Sequence, residues 1–301
     1  MKKQLLITCL LVLIGTSCKN EGKHKTAKTP NRVVKKKGKS VNLNISVLLD
    51  LSDRIDTIKN GNQTMQYYQR DLGYIQSISN AFIAHLELKK IRTMNDKIAL
   101  FFDPEPRNRK INAISKNLKF HITRENATIG VFRNIRDSYQ KLPKEIYEQA
   151  ITDGKYIGSD TWRFFKNKVD DYCIEGGYRN ILVILTDGYI YHKNTKIEEG
   201  NRTTFLTPQD IRGDKLNTAK WSDRFNQKDY GFIVNNKDLS NLEVLVLGIH
   251  PDNKNPYEED VITAYWSKWL EEMNLKNFEI KQADLPSHME KVIHNFILKE
   301  Q

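Results

Sequence analysis

Residues 44–55 read NISVLLDLSDRI, an apolar run that passes directly into clustered polar side chains. Ile45, Val47, Leu48 and Leu49 do not alternate with polar residues, which is the pattern of a strand covered by helices on both faces. The run ends at Asp50. In parallel α/β sheets, ligand chemistry gathers beyond the carboxyl ends of the strands, where loops are polar and backbone groups are free. Asp50, Leu51, Ser52, Asp53 and Arg54 therefore stand where a ligand site is expected.

The same signature recurs along the chain. Residues 97–102 (KIALFF) stop at Asp103 and Pro104, residues 180–186 (NILVILT) run into Asp187 and Gly188, and residues 242–249 end at His250, Pro251 and Asp252. Residues 118–123 alternate polar and apolar side chains, as an edge strand with one solvated face does, and residues 278–281 form a last short strand. Between these runs, Ile75, Ile78, Phe82, Ile83 and Leu86 recur at three- and four-residue steps and predict a helix over residues 71–91. Further helices are expected over 129–142, over 144–150, and from the polar turn KYIGSDT (155–161) to Gly176. Asn255, Pro256 and Glu258 predict the cap of another helix, and Ser287 with Glu290 the cap of the last.

Strand–helix alternation of this kind predicts a doubly wound, Rossmann-like α/β domain over residues 41–301, its mostly parallel sheet carrying helices on both faces. Residues 189–241 lack a long apolar run and are too many for a structureless loop. This insertion leaves the carboxyl end of a central strand, so it is expected to lie over the site.

The start of the chain has a different character. Lys2 and Lys3 precede an apolar run from Leu5 to Ile14, followed by Gly15, Thr16, Ser17 and Cys18, which reads as a secretory signal over residues 1–18, too short for a membrane span. Residues 19–40 carry nine Lys or Arg against Glu21, so the residues from 41 onward hold only +1 of the total charge of +11. The basic character belongs to this segment, which has too few apolar residues to fold and is expected to be a tether near anionic lipid or envelope polymer. With no aromatic residue among its lysines to stack on bases, it does not point to nucleic acid. Cys9 lies in the signal, leaving Cys173 alone in the body without an intramolecular disulfide partner; its apolar neighbours mark it as a small core residue.

Two resemblances rest on these residues. Gly15–Ser17 followed by Cys18 resembles the lipobox of bacterial lipoproteins, with Gly15 where that family usually has leucine; it implies lipidation of Cys18 and an envelope protein anchored to a membrane. The Asp-ended strands, with Ser52 and the GSDT turn, resemble the von Willebrand factor A family over nearly all of residues 41–301. That family's metal-ion-dependent adhesion site implies Asp50, Ser52 and Asp187 as ligands of Mg²⁺ or Mn²⁺, with Ser159, or secondarily Thr161, as the loop hydroxyl. Arg54 stands where the motif has a second serine.

Arg54 divides the expectations. Turned outward, it leaves room for a cation held by hard oxygen donors. Turned inward, it pairs with Asp50 or Asp187 and takes the metal's place. Asp53 and His250 are further candidates for contacting a ligand. No nucleophile–base pair stands in the motif loops, which favours binding of a protein or envelope polymer over catalysis. The alternatives are a metal-free scaffold, and a phosphate-transferring hydrolase with Asp50 as nucleophile; for the latter, Ser52 occupies the position where an acid–base aspartate is needed.

Overall fold

The computed structural model describes residues 41–156, 158–236, 238–252 and 254–299. The expected signal, Cys18 and the tether lie outside the described residues. From β1 (Asn42–Leu49) the chain passes through a 3₁₀ turn at Asp53–Ile55 into α1 (Tyr67–Leu88), then β2 (Asn95–Phe102), α2 (Arg109–Lys116), β3 (Lys119–Thr123) and α3 (Ile129–Asp153). Two short helices, α4 (Thr161–Asn167) and α5 (Val169–Cys173), lead to β4 (Tyr178–Leu185). The next segment holds β5 (Glu198–Glu199), β6 (Arg202–Thr203), α6 (Pro208–Gly213), α7 (Trp221–Gln227) and β7 (Gly231–Phe232). β8 (Leu242–Ile249), α8 (Glu258–Glu272), β9 (Asn277–Gln282) and α9 (Pro286–Leu298) complete the order.

The main sheet runs β3-β2-β1-β4-β8-β9, with every pair parallel except β2–β3. Helices cover both faces, so this is a mixed, mostly parallel, Rossmann-like α/β fold. β1 shows why its apolar run does not alternate: Leu43, Ile45, Val47 and Leu49 join α1, α3 and α9 in one core, whereas Leu48 joins α4, α8 and the 189–241 segment in the other. Burying each such side chain stabilises the fold by roughly 1.5–3 kcal/mol. Cys173 lies in the second core, where burial pushes its thiol up to about 12.

The inserted segment has its own structure. Its short strands form a three-stranded sheet, and Phe232 packs its ring against Tyr265, Trp266 and Trp269 of α8. Scattered apolar residues, not a long run, attach it to the domain.

Several local expectations are corrected. Helix α3 is continuous through Pro143, a buried residue, where two helices were expected; packing on α1 holds it together despite the missing N–H. Lys168 breaks the helix expected from residue 161 to 176 into α4 and α5. Asn255 does not cap α8; it forms a turn beforehand, its Oδ1 accepting from Tyr257 N and its Nδ2 donating to Glu258 Oε2. The last helix starts at Pro286, so Ser287 lies inside it and provides no cap.

Candidate functional site

The chain leaves β1 toward β2 and β3 on one side, and returns through β4 toward β8 and β9 on the other. The strand order thus reverses between β1 and β4, the place where open α/β sheets form a crevice beyond the strand ends. Asp50 comes directly after β1, and Asp187 one residue beyond Thr186, which follows β4. Register pairs Leu49 with Leu185, and Asp50 N donates to Leu185 O at 3.0 Å, which brings both acids to one rim.

Asp50 is buried and fully engaged. Its Oδ1 accepts from Ser52 N at 2.8 Å, and its Oδ2 accepts from Thr186 Oγ1 at 2.9 Å. Thr186 Oγ1 in turn accepts from Gly188 N at 3.2 Å, so one hydroxyl links the two motif loops.

Arg54 turns inward, and its close partner is a residue on neither motif strand. Its Nη2 donates to Asp71 Oδ2 of α1 at 2.5 Å and to Leu185 O at 3.1 Å, while its Nε donates to Asp50 O at 3.1 Å. The Asp50 carboxylate is only a loose partner, 3.8 Å from Nε. Tyr147 of α3 donates to the same Asp71 oxygen at 2.8 Å. Burial alone would lower the Arg54 pKa; Asp71 and then Asp50 more than offset that and raise it. Burial raises that of Asp71 despite the guanidinium beside it.

Asp187 differs because it keeps an opening onto solvent. Its Oδ1 accepts from Tyr189 N at 3.0 Å, and its carboxyl is pushed up to about 7, by burial first and by the Asp50 charge second. His250 N donates to Asp187 O at 3.0 Å, so the ends of β4 and β8 are tied together. The His250 ring packs against Tyr67 at a tilt of 40°, with the Tyr67 hydroxyl 2.5 Å from Nε2, and burial lowers the His250 pKa, aided by Arg70 and Arg54. Asp53 opens the 3₁₀ turn with its side chain exposed.

Ser159 comes from the loop before α4. It pairs with Tyr191 of the insertion through two backbone bonds of 3.1 Å, and its hydroxyl lies 3.3 Å from that of Thr161. Gly158 makes this approach possible: its φ is +82°, and a Cβ there would lie 2.2 Å from Tyr191 O. Asp160 caps α4 by accepting from Arg163 N at 3.1 Å. Thr161 is buried as the first residue of that helix.

These loops surround a cleft of about 1110 Å³. Ser52, Asp53, Arg54, Ser159, Asp187 and His250 line it; Asp50 and Thr161 lie outside its lining. Tyr189, Tyr191 and Thr207–Gln209 bring the insertion to the same wall. Among the described residues, no three His, Cys, Asp or Glu side chains form a group that could hold a metal ion. Of the expected ligands, Asp187 and the hydroxyl residues Ser52 and Ser159 share the cleft, one carboxylate and two hydroxyls, a set suited to Mg²⁺ only with water completing its shell. To that extent these residues fit the expected ion.

Sequence reasoning missed Asp71, Tyr147 and Thr186. Asp71 had a signal, being an acid on the otherwise apolar inward face of α1. No protein-family model matches this sequence, and no curated protein matches it.

Proposed function

We propose that the chain is a von Willebrand factor A-like binding module of the bacterial envelope, recognising a protein or polymer partner in the cleft through a divalent cation at Asp187. The surplus of acid carries this reading: Asp50, Asp71 and Asp187 surround one guanidinium, and Arg54 is spent on Asp71 and two carbonyls. Among the described residues, Asp187 is left without a cationic partner at hydrogen-bond distance, on the side open to ligand. Mg²⁺ or Mn²⁺ would be held by Asp187 with Ser52 and Ser159, and would present an open position to an acidic group of the partner. The nearby positive charge of Arg54 weakens that attraction, so affinity for the ion is expected to be low.

A metal-free reading draws on the same arginine. Buried and held by Asp71, Arg54 stabilises the rim without any ion, and the partner then meets Asp187 directly. The hydrolase reading has less support, because both Asp50 oxygens accept hydrogen bonds and the group lies outside the cleft lining.

Calorimetric titration of the protein with Mg²⁺ and Mn²⁺ tests the proposal. Binding that disappears in Asp187→Asn is expected. No response to either ion removes the cation and leaves the metal-free reading. Lipid anchoring at Cys18 is tested separately: Cys18→Ser should release the protein from membranes.

A further inference from the structure

The end of the sheet opposite the cleft has a surface of its own. Among the described residues, four large aliphatic side chains are more than half exposed: Ile58, whose neighbours Lys59 and Asn60 line the cleft, and Leu88 (78%), Ile91 (56%) and Ile129 (79%) at the amino end. Leu88 closes α1, and Ile91 lies in the 3₁₀ turn that leads to β2. β3 runs antiparallel to β2, Thr123 pairing with Asn95, so the chain returns to this end and starts α3 there with Ile129. Arg136, two turns further along the same stripe of α3, lies 3.9 Å from Glu87 and so sets the start of α3 beside the end of α1.

Lys89 explains why these side chains face outward. It is buried, and its Nζ donates to Asp96 Oδ2 at 2.7 Å, to Asn42 Oδ1 at 2.8 Å and to Val41 O at 3.5 Å. With Lys89 drawn inward, Leu88, Lys90, Ile91 and Arg92 are left exposed, on a turn closed by Thr93 N donating to Lys90 O and Met94 N to Ile91 O. The exposed acids nearby, Glu87, Glu125 and Glu175, lie against Arg136, Arg124 and Lys97. Further along α3, the exposed Arg133 and Asp137 offset one another. Lys90 and Arg92 make no ion pair among the described residues.

Exposed aliphatic side chains interleaved with unpaired cations suit the surface of an anionic bilayer, where the apolar groups enter the headgroup boundary and the cations meet phosphate. The incoming chain points to the same occupant. Val41, whose carbonyl accepts from Lys89, is where residues 19–40 join the domain, and they carry nine Lys or Arg against one Glu.

We propose that the amino end of the domain, through Leu88, Lys90, Ile91, Arg92 and Ile129, docks on an anionic lipid bilayer. Tyr67, the first residue of α1, lines the cleft and Leu88 is the last, so docking holds the cleft about 30 Å from the lipid. Contacts this few are weak and reversible, so they orient an anchored chain and do not retain a free one. The proposal makes no use of a cation at Asp187.

The test uses the full chain with Cys9→Ser and Cys18→Ser, which leaves no lipid attached and the buried Cys173 as the remaining thiol. An environment-sensitive fluorophore is placed on Ile91→Cys or, at the other end, on Ile58→Cys. Vesicles of phosphatidylglycerol should shift the emission at 91 to the blue and leave 58 unchanged, and phosphatidylcholine vesicles should shift neither. Lys90→Gln/Arg92→Gln and Leu88→Ser/Ile129→Ser should each lower the ratio of docked to free protein, read from the shift at 91, about tenfold with an unchanged melting temperature. Residues 1–40 are the same in all of these chains, so their own attraction to lipid cancels from the comparison. A shift at both positions or at neither, an equal shift on phosphatidylcholine, or an undiminished shift in both double variants overturns the proposal. Self-association in the absence of vesicles that is lost in Leu88→Ser/Ile129→Ser makes a second copy the occupant and overturns it as well. None of these readouts uses Mg²⁺, so a failed cation titration leaves this surface standing.

Discussion

The sheet carries a buried aspartate cluster at each end, and the two are built differently. At the amino end, Asp96 of β2 accepts from Lys89 Nζ at 2.7 Å and from Leu43 N at 2.7 Å, and lies 3.0 Å from His85 Nε2. Although burial pushes its pKa up, His85, Lys89 and the Leu43 amide outweigh that and hold it below the usual range. At the carboxyl end, three acids share Arg54, and both Asp71 and Asp187 are shifted upward. A satisfied cluster closes a sheet end. An acid surplus that opens onto a cleft is the physical ground for proposing the site at that end.

Four perturbations break or sharpen this contrast. Arg54→Met should have the largest effect, destabilising by about 3–5 kcal/mol in chemical denaturation, because it leaves Asp71 buried without its counter-charge. Lys89→Met at the other end should cost about 2–4 kcal/mol, less because the Leu43 amide and His85 remain with Asp96.

Next comes pH. Because the folded pKa of Asp187 is raised to about 7, its native state binds the extra proton, and its contribution to stability is lost as pH rises from the unfolded carboxylate value, about 4, to about 7. Asp187→Asn should remove that fall, on the order of 1–3 kcal/mol at neutral pH, in denaturation curves taken across this window. Asp96 has the opposite sign: its lowered pKa stabilises above the unfolded value, and the stability is lost as pH falls through the folded one.

Ser52→Ala should have the smallest effect on stability. Among the described residues its hydroxyl makes no hydrogen bond, so the change should stay within about 0.5 kcal/mol. It should still weaken any Mg²⁺-induced rise in melting temperature. An unchanged response takes Ser52 out of the cation site.

The amino-acid sequence was legible wherever local pattern decides the outcome. The bounds of β8 matched the apolar run from Leu242 to Ile249, and Asp50 and Asp187 came to one rim because each lies within two residues of the end of a central strand. Arg54 was visible as the residue on which the site turns, but its partner was not. Asp71 is seventeen positions away, on a helix whose docking angle no local pattern encodes. Helix caps were also misjudged, since Asn255 and Ser287 match capping spacing while the chain enters both helices at different residues. The insertion was recognised by length, but its packing on α8 depends on Phe232 meeting three aromatic rings from another part of the chain.

The paired backbone bonds between Ser159 and Tyr191 bear on how the proposed partner would be met. A hydroxyl-bearing loop stitched to its neighbouring wall is preorganised, so little conformational entropy remains to be lost on association. Recognition at this rim is therefore expected to proceed as rigid docking, and swapping the wall segment would reposition Ser159 as well as reshape the opening.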